Sequence, residues 1–244
     1  MQNSEKKVGI IGAIDIEVKV LRGQLQPPAG ETAVRETAAG GLTFCEGVLD
    51  GCPVVVVKSG IGKVNAALCA QRLVLQFGVT HVINTGIAGA MAKGLKVLDF
   101  VASTDALYHD FDVTGFGYKP TVIPQMELSD FAADAKMLDA ATMAFAELPD
   151  AAGHQLVAGR IASGDQFISS ADVKGHIKEI CSPACVEMEG AAIAHACFIN
   201  KVPFVIIRCM SDMADDSGED TYRFNDDDAA RLSAALVQRM LPLF

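Results

Sequence analysis

Four carboxylates stand where an apolar run hands over to a helix or a loop: Glu17, Glu187, Glu189 and Asp212. The densest stretch runs from Ala184 to Ala196, Ala-Cys-Val-Glu-Met-Glu-Gly-Ala-Ala-Ile-Ala-His-Ala, and reads as a buried strand turning straight into a helix of small residues. Glu187 and Glu189 fall at that junction rather than on a solvated face. Farther on, the apolar run Val202-Pro-Phe-Val-Ile-Ile-Arg-Cys-Met ends in Ser211-Asp212. Glu17 lies in the first helical turn after an N-terminal apolar strand. Carboxyls withheld from water can trade protons with a substrate, and in open α/β sheets ligands bind at the carboxyl ends of strands. Each acid alone reads equally well as a helix-terminal residue favoured by the helix dipole. Together they point to one site.

The elements that must hold these acids alternate between strand and helix, which indicates an α/β sheet and a single domain over residues 1–244. A strand over 8–14 leads into a helix carrying Glu17. Two apolar runs, 42–49 and 53–58, flank Asp50-Gly51 and predict a hairpin. Lys58-Ser-Gly-Ile-Gly-Lys63 then leads into a helix over 64–77. It is not a P-loop, which needs Ser or Thr where Val64 stands and a glycine where Val57 stands. Nor is it a dinucleotide fingerprint, which needs a third glycine at Asn65. A strand over 81–85 ends in Asn84-Thr-Gly-Ile-Ala-Gly89, either a tight turn or a close approach of backbone to a ligand. Another strand covers 97–103. A long loop from Tyr108 to about Glu127 has the length typical of functional loops. Its His109, Asp110 and Asp112 are too closely spaced for a metal cage, and its Phe111, Phe116, Tyr118 and Pro124 suit a subunit contact better. An amphipathic helix is expected over 129–147, a strand over 155–163 ending in Ser163-Gly-Asp-Gln-Phe-Ile168, a helix over 170–180 and a closing helix from about 226 to 243. Phe167, just past a strand end, is either a stacking platform or part of the core.

Composition narrows the partners. The chain has 244 residues, half of them hydrophobic, and a formal charge of −10; its mean hydropathy is +0.30. Such apolar content suits parallel strands covered on both faces. The acidic balance argues against gripping a nucleic-acid backbone but not against a nucleoside, which carries no phosphate. Seven scattered cysteines without a CxxC pair read as buried thiols of a reducing compartment. No apolar run is long enough for a membrane span, and Asp15 and Glu17 interrupt the N-terminal run too early for a signal peptide. The expected location is the cytoplasm.

The motifs Gly9-Ile-Ile-Gly-Ala-x-x-x-Glu17, Lys58-Ser-Gly-Ile-Gly-Lys-Val, Asn84-Thr-Gly-x-Ala-Gly, Tyr108-His-Asp, Ser163-Gly-Asp-x-Phe-Ile, Val186-Glu-Met-Glu and Ser211-Asp-x-Ala-Asp215 occur in the order seen in one family. From about residue 8 to 240 the chain resembles the bacterial 5′-methylthioadenosine/S-adenosylhomocysteine nucleosidases. The resemblance implies a nucleoside phosphorylase-like fold, a three-layer αβα sandwich around a mixed, partly closed central sheet. It also implies a homodimer and an activity without cofactor or metal: hydrolysis of the bond between adenine N9 and ribose C1′. By residue match, Asp212 protonates adenine N7 with Ser211 orienting it, and Glu17 takes a proton from the attacking water. A carboxyl ordinarily ionises near ~3.9, so such a donor must be kept protonated by burial or by the base itself. Glu189 accepts hydrogen bonds from the ribose hydroxyls, and its charge favours a cationic transition state. Met188 packs on the sugar. Phe167 stacks on adenine while the Ile168 backbone reads the purine edge, and Arg208 and Glu187 support the site. Ile87, Ala88 and Gly89 lie beside the substrate through their backbone. Ile14 and Ile61 wall an apolar 5′ pocket, completed by Val113, Phe116 and Pro124 of the partner subunit and closed by either Tyr222 or Phe224. Two departures stand out: Ile87 where some relatives have serine, and Ile14 where methionine is commoner.

Two other activities compete. A phosphorylase of the same fold attacks with phosphate and wants arginines and hydroxyls. Here the first turn offers Asp15 and Glu17, and the middle motif reads Asn84-Thr-Gly-Ile87. A non-catalytic nucleoside-binding module would keep Phe167 and Glu189 but has no need of both Glu17 and Asp212. Preference among methylthioadenosine, adenosylhomocysteine, 5′-deoxyadenosine and aminofutalosine depends on the 5′ pocket and stays open.

Overall fold

In the computed structural model, residues 6–214 and 219–244 are described, the side chains of 219–224 excepted. Among them, ten strands join in one mixed sheet that bends until part of it closes. The closed part is a ring of five: β5 (His81–Ala90), β9 (Cys185–Glu187), β8 (Leu156–Ser163), β6 (Phe100–Tyr108) and β10 (Phe204–Asp212), which pairs back onto β5. From β5 an open wing continues through β1 (Val8–Gly12), β4 (Cys52–Lys58), β3 (Leu42–Leu49) and β2 (Arg35–Ala39). A short β7 (Asp130–Ala132) edges β6. Parallel pairs (β1 with β4 and β5, β5 with β10, β6 with β8, β8 with β9) mix with antiparallel ones.

Strand alternation explains the three layers. Side chains point to opposite faces with period two, and both faces are apolar here. Val8 and Ile10, Val54 and Val56, Ile83, Val205 and Ile207 face one core. That core is roofed by α1 (Asp15–Gln24), α3 (Ala135–Ala146) and α6 (Glu219–Met240). Ile11, Val55 and Val57, Val82 and Ile206 face the other, under α2 (Lys63–Phe77) and α5 (Gly190–Asn200). Each such Val, Leu or Ile contributes roughly 1.5–3 kcal/mol by burial. A smaller cluster seats α4 (Ala171–Cys181) through Ile177 and Cys181. All seven cysteines are free and buried.

Local readings differ from the observed elements in five places. Asn84-Thr-Gly-Ile-Ala-Gly89 is not a turn: β5 runs on to Ala90 because β10 and β9 both take its hydrogen bonds, which outweighs the cost of two glycines in a strand. The strand expected over 97–103 begins at Phe100 and continues to Tyr108. Its foreseen start is a turn in which Leu98 has φ +67° and the buried Asp99 carboxylate accepts from the N–H of Lys96 at 3.0 Å and of Gln155 at 3.2 Å. The helix expected over 129–147 splits into β7 and α3, with the Asp134 carboxylate capping α3 through the Met137 N–H at 3.0 Å. β2 escapes a pattern search because its residues are mostly exposed and do not alternate. The closing helix starts at Glu219 and stops at Met240, where Pro242 turns the chain into a 3-10 turn.

Candidate active site

Glu17 is the third residue of α1, and its carboxylate folds back over the helix start. Oε2 accepts from the N–H groups of Ala13 (2.6 Å) and Ile14 (3.1 Å), as an acid at this helical position does. Oε1 crosses to β5 and accepts from the Ile87 N–H at 3.0 Å. The side chain is buried, and burial pushes its ionisation above the usual carboxylate range against the pull of Arg208.

Asp212 closes β10 at a bulge. The register passes from Met210 opposite Ala88 to Asp212 opposite Gly89, so Ser211 is the extra residue. Bulges re-aim side chains in this way. The Ser211 hydroxyl donates to Asp212 Oδ2 at 2.9 Å and the Ala214 N–H donates to Oδ1 at 2.7 Å. Gly86 and Gly89 of β5 make room for both acids. A Cβ at Gly86 would fall on Glu17 Oε1 and stand 2.7 Å from Arg208 Nη1; one at Gly89 would stand 2.9 Å from Asp212 Oδ1. Both glycines are therefore places of close approach, by these side chains rather than by a turn.

Behind the acids lies a buried charge network. Arg208 is 1% exposed. Its Nη2 donates to Glu187 and, at 2.6 Å, to Asn84 Oδ1. Glu187 also accepts from the Ser163 hydroxyl and from the N–H groups of Glu189 (3.0 Å) and Gly190 (2.8 Å). Glu189 has less: Oε1 accepts from the Gly62 N–H at 2.8 Å, and Oε2 lies 3.9 Å from Arg208 Nη2. Burial, and after it the charge of Glu187, pushes the Glu189 carboxyl up to about 8. The Gly62 turn is itself clamped. Lys63 Nζ binds both oxygens of Asp110 at 2.7 and 2.6 Å, and the Lys63 N–H donates to Asp165 at 2.9 Å. Asp110 is thus engaged by a lysine, and Asp112 accepts from the Thr114 N–H at 2.8 Å.

These side chains surround a hollow that opens to solvent. Ile14, Glu17, Ile61, Ile87, Ala88, Gly89, Phe167, Ile168, Glu187, Met188, Glu189, Ser211 and Asp212, all singled out in the sequence, line it. Ala13, Gln166 and Val186 line it too and were not singled out as site residues; each lies inside a named motif, which was the available signal. Val113, Phe116 and Pro124 do not line the hollow of their own chain, and Phe116 is 85% exposed. The side chains of Tyr222 and Phe224, and Asp215 altogether, lie outside the described residues. Asp226, near the start of α6, was not anticipated. One carboxylate oxygen is buried without a hydrogen-bond partner among the described residues, and burial followed by the charge of Asp212 pushes its ionisation up to about 6.

Known proteins resemble this chain over nearly its whole length. The model of the phosphorylase superfamily matches residues 7–242. The chain is 41% identical to the 5′-methylthioadenosine/S-adenosylhomocysteine nucleosidase of Colwellia psychrerythraea, over 96% of this chain and 95% of that protein. A crystal structure of the nucleosidase from that organism, in complex with adenine, superposes with a TM-score of 0.91 at 39% identity, covering 98% of this chain and 96% of the other. Futalosine hydrolase of Helicobacter pylori superposes with a TM-score of 0.89 at 29% identity, with 98% of each chain covered. An acid-lined hollow on a partly closed sheet, matched nearly end to end, therefore places this chain in the 5′-methylthioadenosine/S-adenosylhomocysteine nucleosidases, the N-glycosidic hydrolases of the phosphorylase superfamily.

Proposed function

We propose that this enzyme hydrolyses the N-glycosidic bond of 5′-methylthioadenosine and S-adenosylhomocysteine, and also of 5′-deoxyadenosine, releasing adenine and the 5′-substituted ribose for purine salvage and methionine recycling. The observation that carries the reading is that Glu17 and Asp212 reach one hollow from opposite chain segments, each seated against a glycine of β5. Asp212 protonates the departing adenine at N7 while Glu17 draws a proton from water that attacks C1′, the acid and base flanking the bond as in glycoside hydrolysis. Glu189 and Met188 hold the sugar, and Phe167 with the Ile168 backbone holds adenine. Water rather than phosphate fits as the nucleophile. Among the described residues lining the hollow there is no lysine or arginine, and Arg208 lies buried behind it with its Nη2 donating to Glu187 and Asn84.

We propose further that residues 1–244 act as one domain, in the cytoplasm, as a homodimer whose partner lends Val113, Phe116 and Pro124 to the 5′ pocket. Exposed Phe116, Val64 and Leu68 support such a contact. Seven buried free thiols suit a reducing compartment, and among the described residues no helix is long and apolar enough to cross a membrane. The likeness to futalosine hydrolase keeps aminofutalosine as a second substrate to test.

Turnover in phosphate-free buffer decides the reaction class. Release of free ribose sugar is expected; dependence on added phosphate would show a phosphorylase. A parallel kcat/KM panel on the four nucleosides ranks the substrates. A sharper geometric test is Gly86→Ala. The added methyl displaces the Glu17 carboxylate, and misplacement on the order of an ångström costs about 10²-fold in rate. A folded Gly86→Ala protein is expected to lose about that much kcat with KM little changed; unaltered kcat would show that the Glu17 carboxylate position is immaterial.

A further inference from the structure

Glu17, Glu187 and Glu189 all face the guanidinium of Arg208, and their supply of hydrogen-bond donors is unequal. Glu187 takes four: the guanidinium, a hydroxyl and two N–H groups. Glu17 takes three N–H groups. Glu189 takes one, from Gly62, and stands 3.9 Å from the guanidinium. Three ionised carboxylates and one cation would leave two excess negative charges in a place largely closed to water, and desolvation opposes that. Among the described residues, the other charged groups nearby do not relieve it. Asp212 of β10 is another acid on the same wall, and Lys63 at the start of α2 is turned to Asp110. The group with the fewest donors has the most to gain from a proton.

We propose that Glu189 is a neutral carboxylic acid in the ligand-free protein at neutral pH, and that it releases its proton to solvent when a ligand brings positive charge against it. The balance is simple: protein-bound COOH and a cationic ligand give a carboxylate–cation complex and one proton taken up by buffer. The upward displacement of its ionisation to about 8 agrees: at pH 7, one unit lower, neutral outnumbers ionised by about ten to one. A neutral carboxyl has one donor and an acceptor to spare, so it can hold both hydroxyls of a vicinal diol. Its full negative charge then appears only with positive charge on the sugar, an interaction stronger in the transition state than in the ground state. That consequence rests on the nucleosidase reading; the protonation of Glu189 does not.

Two measurements test it. Infrared difference spectra of the free protein against Glu189→Gln are expected to show a protonated-carboxyl band that fades as pH rises through about 8. Calorimetry in buffers of different ionisation heat then counts protons on binding a 9-deazaadenine joined to a cationic hydroxypyrrolidine. The expected result at pH 7 is release of close to one proton, with Kd falling about tenfold between pH 6 and 7 and levelling above pH 8. A neutral deaza-nucleoside is expected to show neither effect. No fading band near pH 8, or a band or proton release that persists in Glu189→Gln, overturns the proposal and would place the proton elsewhere, at Glu17 or Asp226. Where the variant does not fold, absent proton release in the unaltered protein overturns it alone. Absence of nucleoside hydrolysis would instead refute the activity and leave the infrared titration standing.

Discussion

Asp212→Asn is expected to bind methylthioadenosine within a few-fold of the unaltered enzyme and to lower kcat by about 10²–10⁴-fold, the usual worth of a positioned general acid. The amide is nearly isosteric, and its oxygen can still accept from the Ala214 N–H or from the Ser211 hydroxyl, which today bind the two carboxylate oxygens at 2.7 and 2.9 Å. What it cannot do is carry the proton that adenine needs to leave as a neutral base. Glu17→Gln is expected to show the same split between binding and turnover, because the amide cannot take a proton from water. Steady-state kinetics with a binding measurement on each variant decides the matter. A rate near that of the unaltered enzyme for either would contradict the assigned roles.

The largest effect on stability is expected from Arg208→Met. Removing one partner of a buried ion pair leaves the others uncompensated and costs about 3–5 kcal/mol. Here the loss strands Glu187, deprives Asn84 Oδ1 of its donor, and takes a nearby positive charge from Glu17 and Glu189. In the unaltered protein Glu189 ionises at about 8, above its ordinary range. A carboxyl displaced upward favours the folded state at low pH, and that contribution is lost as pH rises towards the folded value. Without Arg208 the displacement is larger, so Glu189 stays neutral in the variant above pH 8, where it ionises in the unaltered protein, and the deficit of Arg208→Met is expected to widen from pH 7 to pH 9. Denaturant unfolding at those two pH values measures it. A uniform deficit, or none, would show that the three carboxylates do not depend on this guanidinium.

Much of this was legible along the chain because its signals are local. Continuous apolar runs announce β1, β4, β5 and β10, and the pair 42–49 and 53–58 around Asp50-Gly51 announces its hairpin. Junction acids are local as well: Glu17 falls in a first helical turn, and Glu187 and Asp212 end strands. Where local pattern and pairing conflicted, pairing prevailed. Residues 84–90 look like a glycine turn, yet form strand because β9 and β10 flank them. Residues 130–132 look helical, yet form β7 because β6 offers an edge.

Residue types and their spacing thus determined the α/β class, the candidate acids and most of the hollow's lining, since each depends on neighbours a few positions away. Only the tertiary structure decided that β10 closes back onto β5 and that Gly86 and Gly89 are vacant for Glu17 and Asp212. It also decided that three acids share one guanidinium with unequal help from N–H donors. Those facts depend on how far apart side chains from distant segments come to rest. Charge and donor supply act through space, and one-dimensional order carries no record of that distance.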